Sequence, residues 1–255
     1  MRLSHEIGLD PARIEVIILA GGKGTRLRQV VSDRPKVLAE VAGRPFLSWI
    51  IDRLSGAGFR SVVLATGYMA EKVESVMGKE YRGVRLQYSR EDEPLDTGGA
   101  VRLAAARTSS DPVLVLNGDS FVDADHAAFL AWFSRSSRPA GMLLTRMRDA
   151  SRFGLVHLAS DGTVQSFQEK REDSGPGLVS AGAYLLRRTV LDAIPPARPC
   201  SLEREVFPRL VAEGGLSGFP VEGILLDIGT PESLDEARRY FTARPFPGGN
   251  GSGTA

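Results

Sequence analysis

The sequence predicts an α/β protein built on a largely parallel sheet, and three observations lead there. Short apolar runs alternate with helical periodicities through the first half of the chain. The first of those runs breaks into a glycine-rich loop followed by cations. After Asp119 the alternation gives way to closely spaced strand-like runs. Strand, helix, strand, helix is the pattern of parallel strands joined by right-handed crossovers.

The elements follow in order. Residues 14–20 (IEVIILA) are apolar and β-branched, as a buried parallel strand should be. Gly21-Gly22-Lys23-Gly24-Thr25-Arg26 ends that strand, and Pro35-Lys36 comes shortly after. Phe46, Trp49, Ile50, Leu54 and Ala57 recur at helical spacing, with Pro45 suited to a helix start. Further strands are expected at 61–66, 85–88 and 113–117, and helices at 69–77 and 98–107. Beyond Asp119 the reading is a helix over 121–135, a strand over 141–147, and a hairpin of 153–158 with 163–170 about Asp161-Gly162, a type I′ signal. A strand over 178–186, a helix over 202–212, strands over 219–226 about Glu222-Gly223, and a helix over 231–241 capped by Thr230 complete the pass. One domain over 14–241 is expected, with an N-terminal extension 1–13 and a Gly/Pro/Ser-rich tail, 245–255, expected to be disordered.

Composition bounds the chemistry. The 255 residues are 42% hydrophobic and 25% charged, an ordinary globular balance. A net charge of +1 gives no field for nucleic acid or an anionic membrane, so any phosphate binding must come from local cations. The single Cys200 excludes an intramolecular disulfide and a cysteine-based zinc site. No stretch has the apolar length of a membrane span, and residues 1–13 lack the apolar core of a secretory leader. A soluble, cytoplasmic protein is expected. His5, His126 and His157 join no motif and are read as surface or packing residues.

Four segments carry chemistry. The glycine loop lets backbone N–H groups approach a ligand, and Arg26 and Lys36 supply countercharge, which together describe a polyphosphate cradle. Its lysine comes too early for G-x-x-x-x-G-K-[ST], and Leu27 stands where G-x-G-x-x-G needs its third glycine. The second failure also argues against a dinucleotide-dependent oxidoreductase. A tight turn with incidental cations is the plain alternative. Asp119 in Asn117-Gly118-Asp119 and Asp227 in Asp227-Ile228-Gly229 each end an apolar run, where open α/β sheets bind ligands. Two such carboxylates beside a polyphosphate suit Mg²⁺, although either alone is also an ordinary turn or cap residue. Glu91 to Ala100 closes a strand and opens a helix through Gly98-Gly99, where backbone groups could read a flat ring edge or Thr97 could simply cap the helix. Glu169-Lys170 offers a carboxylate for sugar hydroxyls and an ammonium for a phosphate, or a solvated charge pair.

Leu19 to Leu27, Pro35-Lys36, Glu93 to Ala100, Asn117 to Asp119, Glu169-Lys170 and Asp227 to Pro231 together resemble, in content and order, the sugar-1-phosphate nucleotidyltransferases. The resemblance covers 14–241 and implies a Rossmann-like α/β/α sandwich with a mixed, mostly parallel sheet and a small β-rich sugar-binding portion. It implies transfer of a nucleotidyl group from an NTP to a sugar 1-phosphate, with release of pyrophosphate. Arg152 to Val156, Val179 to Tyr184 and Ser201 to Pro208 are similar to the D-glycero-α-D-manno-heptose 1-phosphate guanylyltransferases of that family. Mannose-1-phosphate guanylyl-, uridylyl-, thymidylyl-, cytidylyl- and adenylyltransferases share most of the motifs and remain alternatives. A non-catalytic nucleotide-sugar sensor is the rival from another class.

The resemblance also implies roles. Gly21, Gly22, Gly24 and Thr25 wrap the triphosphate with Arg26 at its β/γ phosphates, Lys36 neutralises the α-phosphate, and Leu19 and Ala20 line the nucleoside. Pro94, Thr97 and Gly98 serve the nucleotide, Gly98 meeting the base edge through its backbone. Asp119, also counted with the nucleotide, holds Mg²⁺ with Asp227. Asn117, Gly154, Glu169, Lys170, Ser180 and Gly182 form the sugar-phosphate site, and Arg26, Lys36 and Lys170 are the catalytic residues. Partners are the two small-molecule substrates, without nucleic acid or membrane, in a monomer or homo-oligomer. Two positions depart from the family: it usually has glycine where Asp96 stands and often asparagine where Ser180 stands. The Asp96 carboxylate is read as facing water, with the N1–H and amine of guanine as the other option.

Overall fold

The computed structural model describes residues 9–27, 30–150, 153–168 and 175–244. The expected tail and all but the end of the N-terminal extension lie outside them. In chain order the first half runs β1 (Glu15–Leu19), β2 (Glu40–Val41), β3 (Arg44–Pro45), α1 (Phe46–Gly56), β4 (Ser61–Thr66), α2 (Ala70–Met77), β5 (Glu80–Tyr81), β6 (Val84–Arg90), α3 (Asp96–Ala105) and β7 (Val113–Asn117). The second half runs β8 (Ser120–Val122), α4 (His126–Ser134), β9 (Ala140–Met147), β10 (Leu155–Leu158), β11 (Val164–Gln168), β12 (Gly177–Leu186), α5 (Arg188–Asp192), α6 (Phe207–Ala212), β13 (Leu216–Val221), β14 (Leu225–Asp227) and α7 (Pro231–Ala243).

Among the described residues a ten-stranded sheet crosses both halves. Its parallel centre has the order β6-β4-β1-β7. Alternate side chains of β1 feed two cores, as a strand buried on both faces must: Val16 and Ile18 pack with Phe46 and Trp49 of α1, while Ile17 packs with Val101 and Ala104 of α3. The molecule is therefore an α/β/α sandwich. Two crossovers carry the chain from β1 to β4 to β6 in one direction, and the third returns it to the other side of β1. The strand order thus reverses between β1 and β7, where Leu19 and Asn117 are register partners at the carboxyl ends. Open α/β sheets hold their ligands at such a switch point.

The second half departs from the sequence reading in several places, each with a local cause. Residues 121–135 are not one helix: β8 pairs antiparallel with β14, and α4 begins only after Asp125, whose side chain caps it by accepting from Ala128 N. The residues over 219–226 form no hairpin, because β13 runs parallel to β9 whereas β14 joins β8 in a separate two-stranded sheet. At Asp161-Gly162 the turn is a three-residue loop. Gly162 N donates to Ala159 O at 3.0 Å, and only Gly162 takes a positive φ, +80°, where a type I′ turn needs two such residues. The expected helix 202–212 starts as a π-turn over Leu202–Val206 before α6. Thr97 is not an N-cap, since α3 already begins at Asp96. Thr230 does cap α7, in a capping box with Ser233, and Phe241 of that helix stacks on Trp49 at 4.2 Å. Among the described residues no helix is long and apolar enough to cross a membrane.

His126 is a packing residue with a consequence for stability. It is 3% exposed, and burial, with the nearby Arg53 charge, pushes its pKa from 6.5 down to about 4. The folded state therefore binds fewer protons than the unfolded chain between those values. Stability is full above pH 6.5 and declines as pH falls toward 4, by up to ~3 kcal/mol from this one group. Urea midpoints measured across that window should fall less steeply in His126→Leu than in the wild type.

Candidate active site

The site is assembled where β1 and β7 end. After Leu19 the glycine loop crosses the carboxyl edge of the sheet, and after Asn117 the chain turns through Gly118. Gly118 N donates to Leu19 O at 2.9 Å, and a Cβ on Gly118 would lie 2.4 Å from that same oxygen. Only glycine permits that approach, which sets Asp119 beside the glycine loop. Asp227 arrives from the other direction. It pairs with Ser120 in the β8–β14 ladder, and Ile228 N donates to Asp119 O at 3.0 Å, so the two aspartates stand on adjoining backbone.

Lys36 closes the group. It follows Pro35 in a 3-10 turn whose Val37 and Leu38 are buried, and its ammonium donates to Asp119 Oδ2 at 2.6 Å. A Cβ on Gly229 would lie 2.7 Å from Asp227 Oδ1 and 3.7 Å from Lys36 Nζ, so all three charged groups border one point. Partial burial works against ionisation of Asp119, but the Lys36 ammonium and the Ser120 hydroxyl outweigh it and hold the carboxyl below its ordinary range. Asp227 Oδ1 accepts from Gly229 N at 2.7 Å and from Ser233 Oγ at 3.2 Å, which orients that carboxylate. Among the described residues no cluster of three or more His, Cys, Asp or Glu could hold an ion by itself. The donor set is two carboxylates beside open space. That chemistry fits a hard divalent cation that takes its other oxygens from phosphate and water.

Two cavities meet at this group. The larger, about 760 Å³, is bordered by Leu19, Ala20, Gly21, Gly22, Tyr68, Glu91, Pro94 and Thr97. The smaller, about 350 Å³, is bordered by Arg26, Gly154, Ser180, Gly182, Tyr184, Glu203, Arg204 and Asp227. Lys36, Asp96, Asn117 and Asp119 border both. The smaller cavity owes its room to a break in β12. With φ +71° at Gly182, the register against β9 shifts between Ser180 and Tyr184. The far part of β12 then pairs with β7 and the near part with β10. A Cβ on Gly182 would come within 3.0 Å of the Asn117 amide nitrogen.

Most of the residues singled out from the sequence border one of these cavities, with five exceptions and two differences. Gly24, Thr25 and Gly98 border neither. Glu169 and Lys170 lie outside the described residues. Arg26 borders the smaller cavity and not the larger, because Leu27 in the same 3-10 turn is buried and Lys23 takes the larger-cavity face. Gly98 is a correction. Its N–H donates to Cys200 O at 2.7 Å and is not available to a base edge, and a Cβ there would strike the same carbonyl at 2.9 Å. Asp96 does not simply face water either. It accepts from Thr97 N at 2.8 Å and pairs with Arg204. Its φ of +59° lies in the left-handed region that glycine adopts without strain.

Three groups at the site went unassigned in the sequence. Glu91 follows β6 at the wall of the larger cavity, accepts from Leu95 N at 2.8 Å, and has its pKa raised by burial. Glu203 accepts from the hydroxyls of Thr97 at 2.7 Å and Ser201 at 3.1 Å. Tyr184 is buried with its hydroxyl 3.1 Å from Ser180 Oγ, and burial together with the Glu203 charge raises its pKa. Glu91 lay inside a recognised motif, but nothing in its spacing marked its side chain.

Comparison with known proteins agrees with this architecture. A family model described as Nucleotidyl transferase matches residues 15–244. The chain is 36% identical over 225 residues to a mannose-1-phosphate guanylyltransferase of Mycobacterium tuberculosis, covering 87% of this chain and 63% of that protein. It is 32% identical over 233 residues to a D-glycero-alpha-D-manno-heptose 1-phosphate guanylyltransferase of Aneurinibacillus thermoaerophilus, covering 89% and 97% respectively. The chain thus spans about three fifths of the mannose-1-phosphate relatives' length and nearly all of the heptose one's. Among solved structures, HddC from Yersinia pseudotuberculosis complexed with GMP-PN superposes with a TM-score of 0.80 at 28% identity, over 89% of this chain and 99% of that one.

Proposed function

The chain belongs to the nucleotidyl transferase family, and from that premise we propose that it transfers a guanylyl group from GTP to a sugar 1-phosphate, releasing pyrophosphate. D-glycero-D-manno-heptose 1-phosphate is the acceptor we favour, because the relative named for it is matched over 97% of its length. Mannose 1-phosphate is the second reading, supported by the 36% identity to a relative named for that sugar. The observation that carries the proposal is the meeting of two cavities at Lys36 and Asp119, with Asp227 on the wall of the smaller one.

GTP occupies the larger cavity with its α-phosphate at the junction, and the sugar phosphate occupies the smaller one. A phosphate oxygen of the sugar attacks the α-phosphorus in line, forming the new P–O bond as the bond to pyrophosphate breaks. That oxygen is already anionic at neutral pH, so no general base is needed. The barrier is the approach of two polyanions, and Lys36 and Arg26, with Lys170, lower it by countercharge and positioning. A Mg²⁺ ion held by Asp119 and Asp227 would neutralise phosphate charge and fix its orientation. Glu91 reads the base. A carboxylate with two acceptor oxygens matches the N1–H and exocyclic amine of guanine and repels the acceptor edge of adenine.

The test is pyrophosphate release from GTP, UTP, dTTP, CTP and ATP against heptose, mannose, glucose and N-acetylhexosamine 1-phosphates. GTP with a D-manno sugar should give the highest kcat/KM, and Glu91→Gln should lower it with GTP by ~10- to 100-fold, the range for one charge-assisted hydrogen bond. Release by no pair would end the proposal, and an unchanged GTP preference in Glu91→Gln would remove Glu91 from base recognition.

A further inference from the structure

We propose that Arg204 is a receiving cation for the sugar's phosphate, and that Asp96 holds it in reserve as a competing anion until that phosphate arrives. The inference rests on the transferase reading and adds a specificity device to it.

The charge lining the smaller cavity poses the problem. Among the described residues at its wall, four carboxylates (Asp96, Asp119, Glu203 and Asp227) face three cations (Arg26, Lys36 and Arg204). Lys36 is engaged with Asp119 at 2.6 Å. Glu203 is satisfied by two hydroxyls at 2.7 and 3.1 Å. A dianionic phosphate entering such a wall needs a guanidinium or ammonium to meet it. Arg204 borders this cavity and not the larger one.

Arg204 is built to change partners. Its backbone is fixed: Leu202 N donates to Thr97 Oγ1 at 2.9 Å, and Arg204 N donates to Ser201 Oγ at 3.2 Å. Its side chain is 62% exposed, against 33% for the Asp96 carboxylate to which it is paired. An ion pair that wet contributes little to stability and is readily exchanged. A phosphate carries twice the charge of a carboxylate and offers oxygens in the bidentate spacing a guanidinium matches, so it displaces Asp96. The strain at Asp96 supports a purpose for its carboxylate, since φ +59° favours glycine and the helix would start there without a charged side chain.

The test uses the full chain and two titrations, mannose 1-phosphate and D-glycero-D-manno-heptose 1-phosphate, followed by calorimetry and by KM for pyrophosphate release. Arg204→Gln should weaken sugar-phosphate binding by ~10- to 100-fold and leave KM for GTP within about twofold. Asp96→Asn keeps a residue that tolerates positive φ but removes the charge; it should tighten sugar-phosphate binding by about threefold or more, a direction structural damage does not produce. The Asp96→Asn/Arg204→Gln double variant should bind like Arg204→Gln alone, because Asp96 acts only through the arginine. Unchanged sugar-phosphate binding in Arg204→Gln, an equal loss for GTP, or weaker binding in Asp96→Asn would each overturn the proposal. A wild-type chain that binds the sugar phosphate but releases no pyrophosphate would sink the transferase reading alone, and the binding series would still decide this one. No binding of either sugar phosphate to the wild type would sink both.

Discussion

Replacing Lys36 with alanine is expected to lower kcat for pyrophosphate release by roughly two to three orders of magnitude, the range for losing one preorganised transition-state charge contact. The side chain is only 13% exposed, springs from a 3-10 turn anchored by two buried residues, and points its ammonium at Asp119. Little reorganisation separates that position from an α-phosphate at the junction of the two cavities. The same variant should change the pH profile. Lys36 holds the Asp119 pKa below its ordinary value. The carboxylate therefore stays ionised to lower pH in the wild type than in Lys36→Ala, and the acid limb of kcat should move to higher pH in the variant. Lys36→Met keeps most of the apolar stem and should lose as much turnover as alanine, which separates charge from packing. Near-wild-type turnover in either variant would remove Lys36 from the catalytic group.

Asp119→Asn and Asp227→Asn should each lower Mg²⁺-dependent turnover by about two orders of magnitude and raise the metal concentration needed for half-activity. Asparagine at 227 can still accept from Gly229 N and Ser233 Oγ through its amide oxygen, so the α7 entry should survive and the loss should fall on the metal rather than the fold. The two variants should behave alike because the β8–β14 ladder sets both carboxylates beside one Lys36 ammonium. Impairment in only one of them would mean that the aspartates do not share an ion.

What the sequence made legible at this site were features with local signatures. The glycine loop announces itself by composition, Asp119 and Asp227 by ending apolar runs, and the parallel centre by β-branched runs alternating with helices. What it hid depends on partners far along the chain. Strands β8 and β14 have three residues each, too few for periodicity, and their pairing joins segments about a hundred residues apart. Residues 121–135 read as one helix because Phe121, Phe129 and Phe133 fit a helical face equally well whether or not the first turn is a strand. Gly98 looked like a backbone donor for a base because nothing nearby hinted that the Cys200 carbonyl would take its N–H. The Asp96–Arg204 pair was invisible for the same reason, being 108 residues apart in sequence.

The most direct measurement is an anomalous difference map at the manganese edge, from crystals of the full chain grown with Mn²⁺ and a non-hydrolysable GTP analogue. A peak within coordination distance of both Asp119 and Asp227, touching the α-phosphate, with guanine beside Glu91, is the expected result. A metal bound through the phosphates alone, or nucleotide density anywhere other than the larger cavity, would contradict the account.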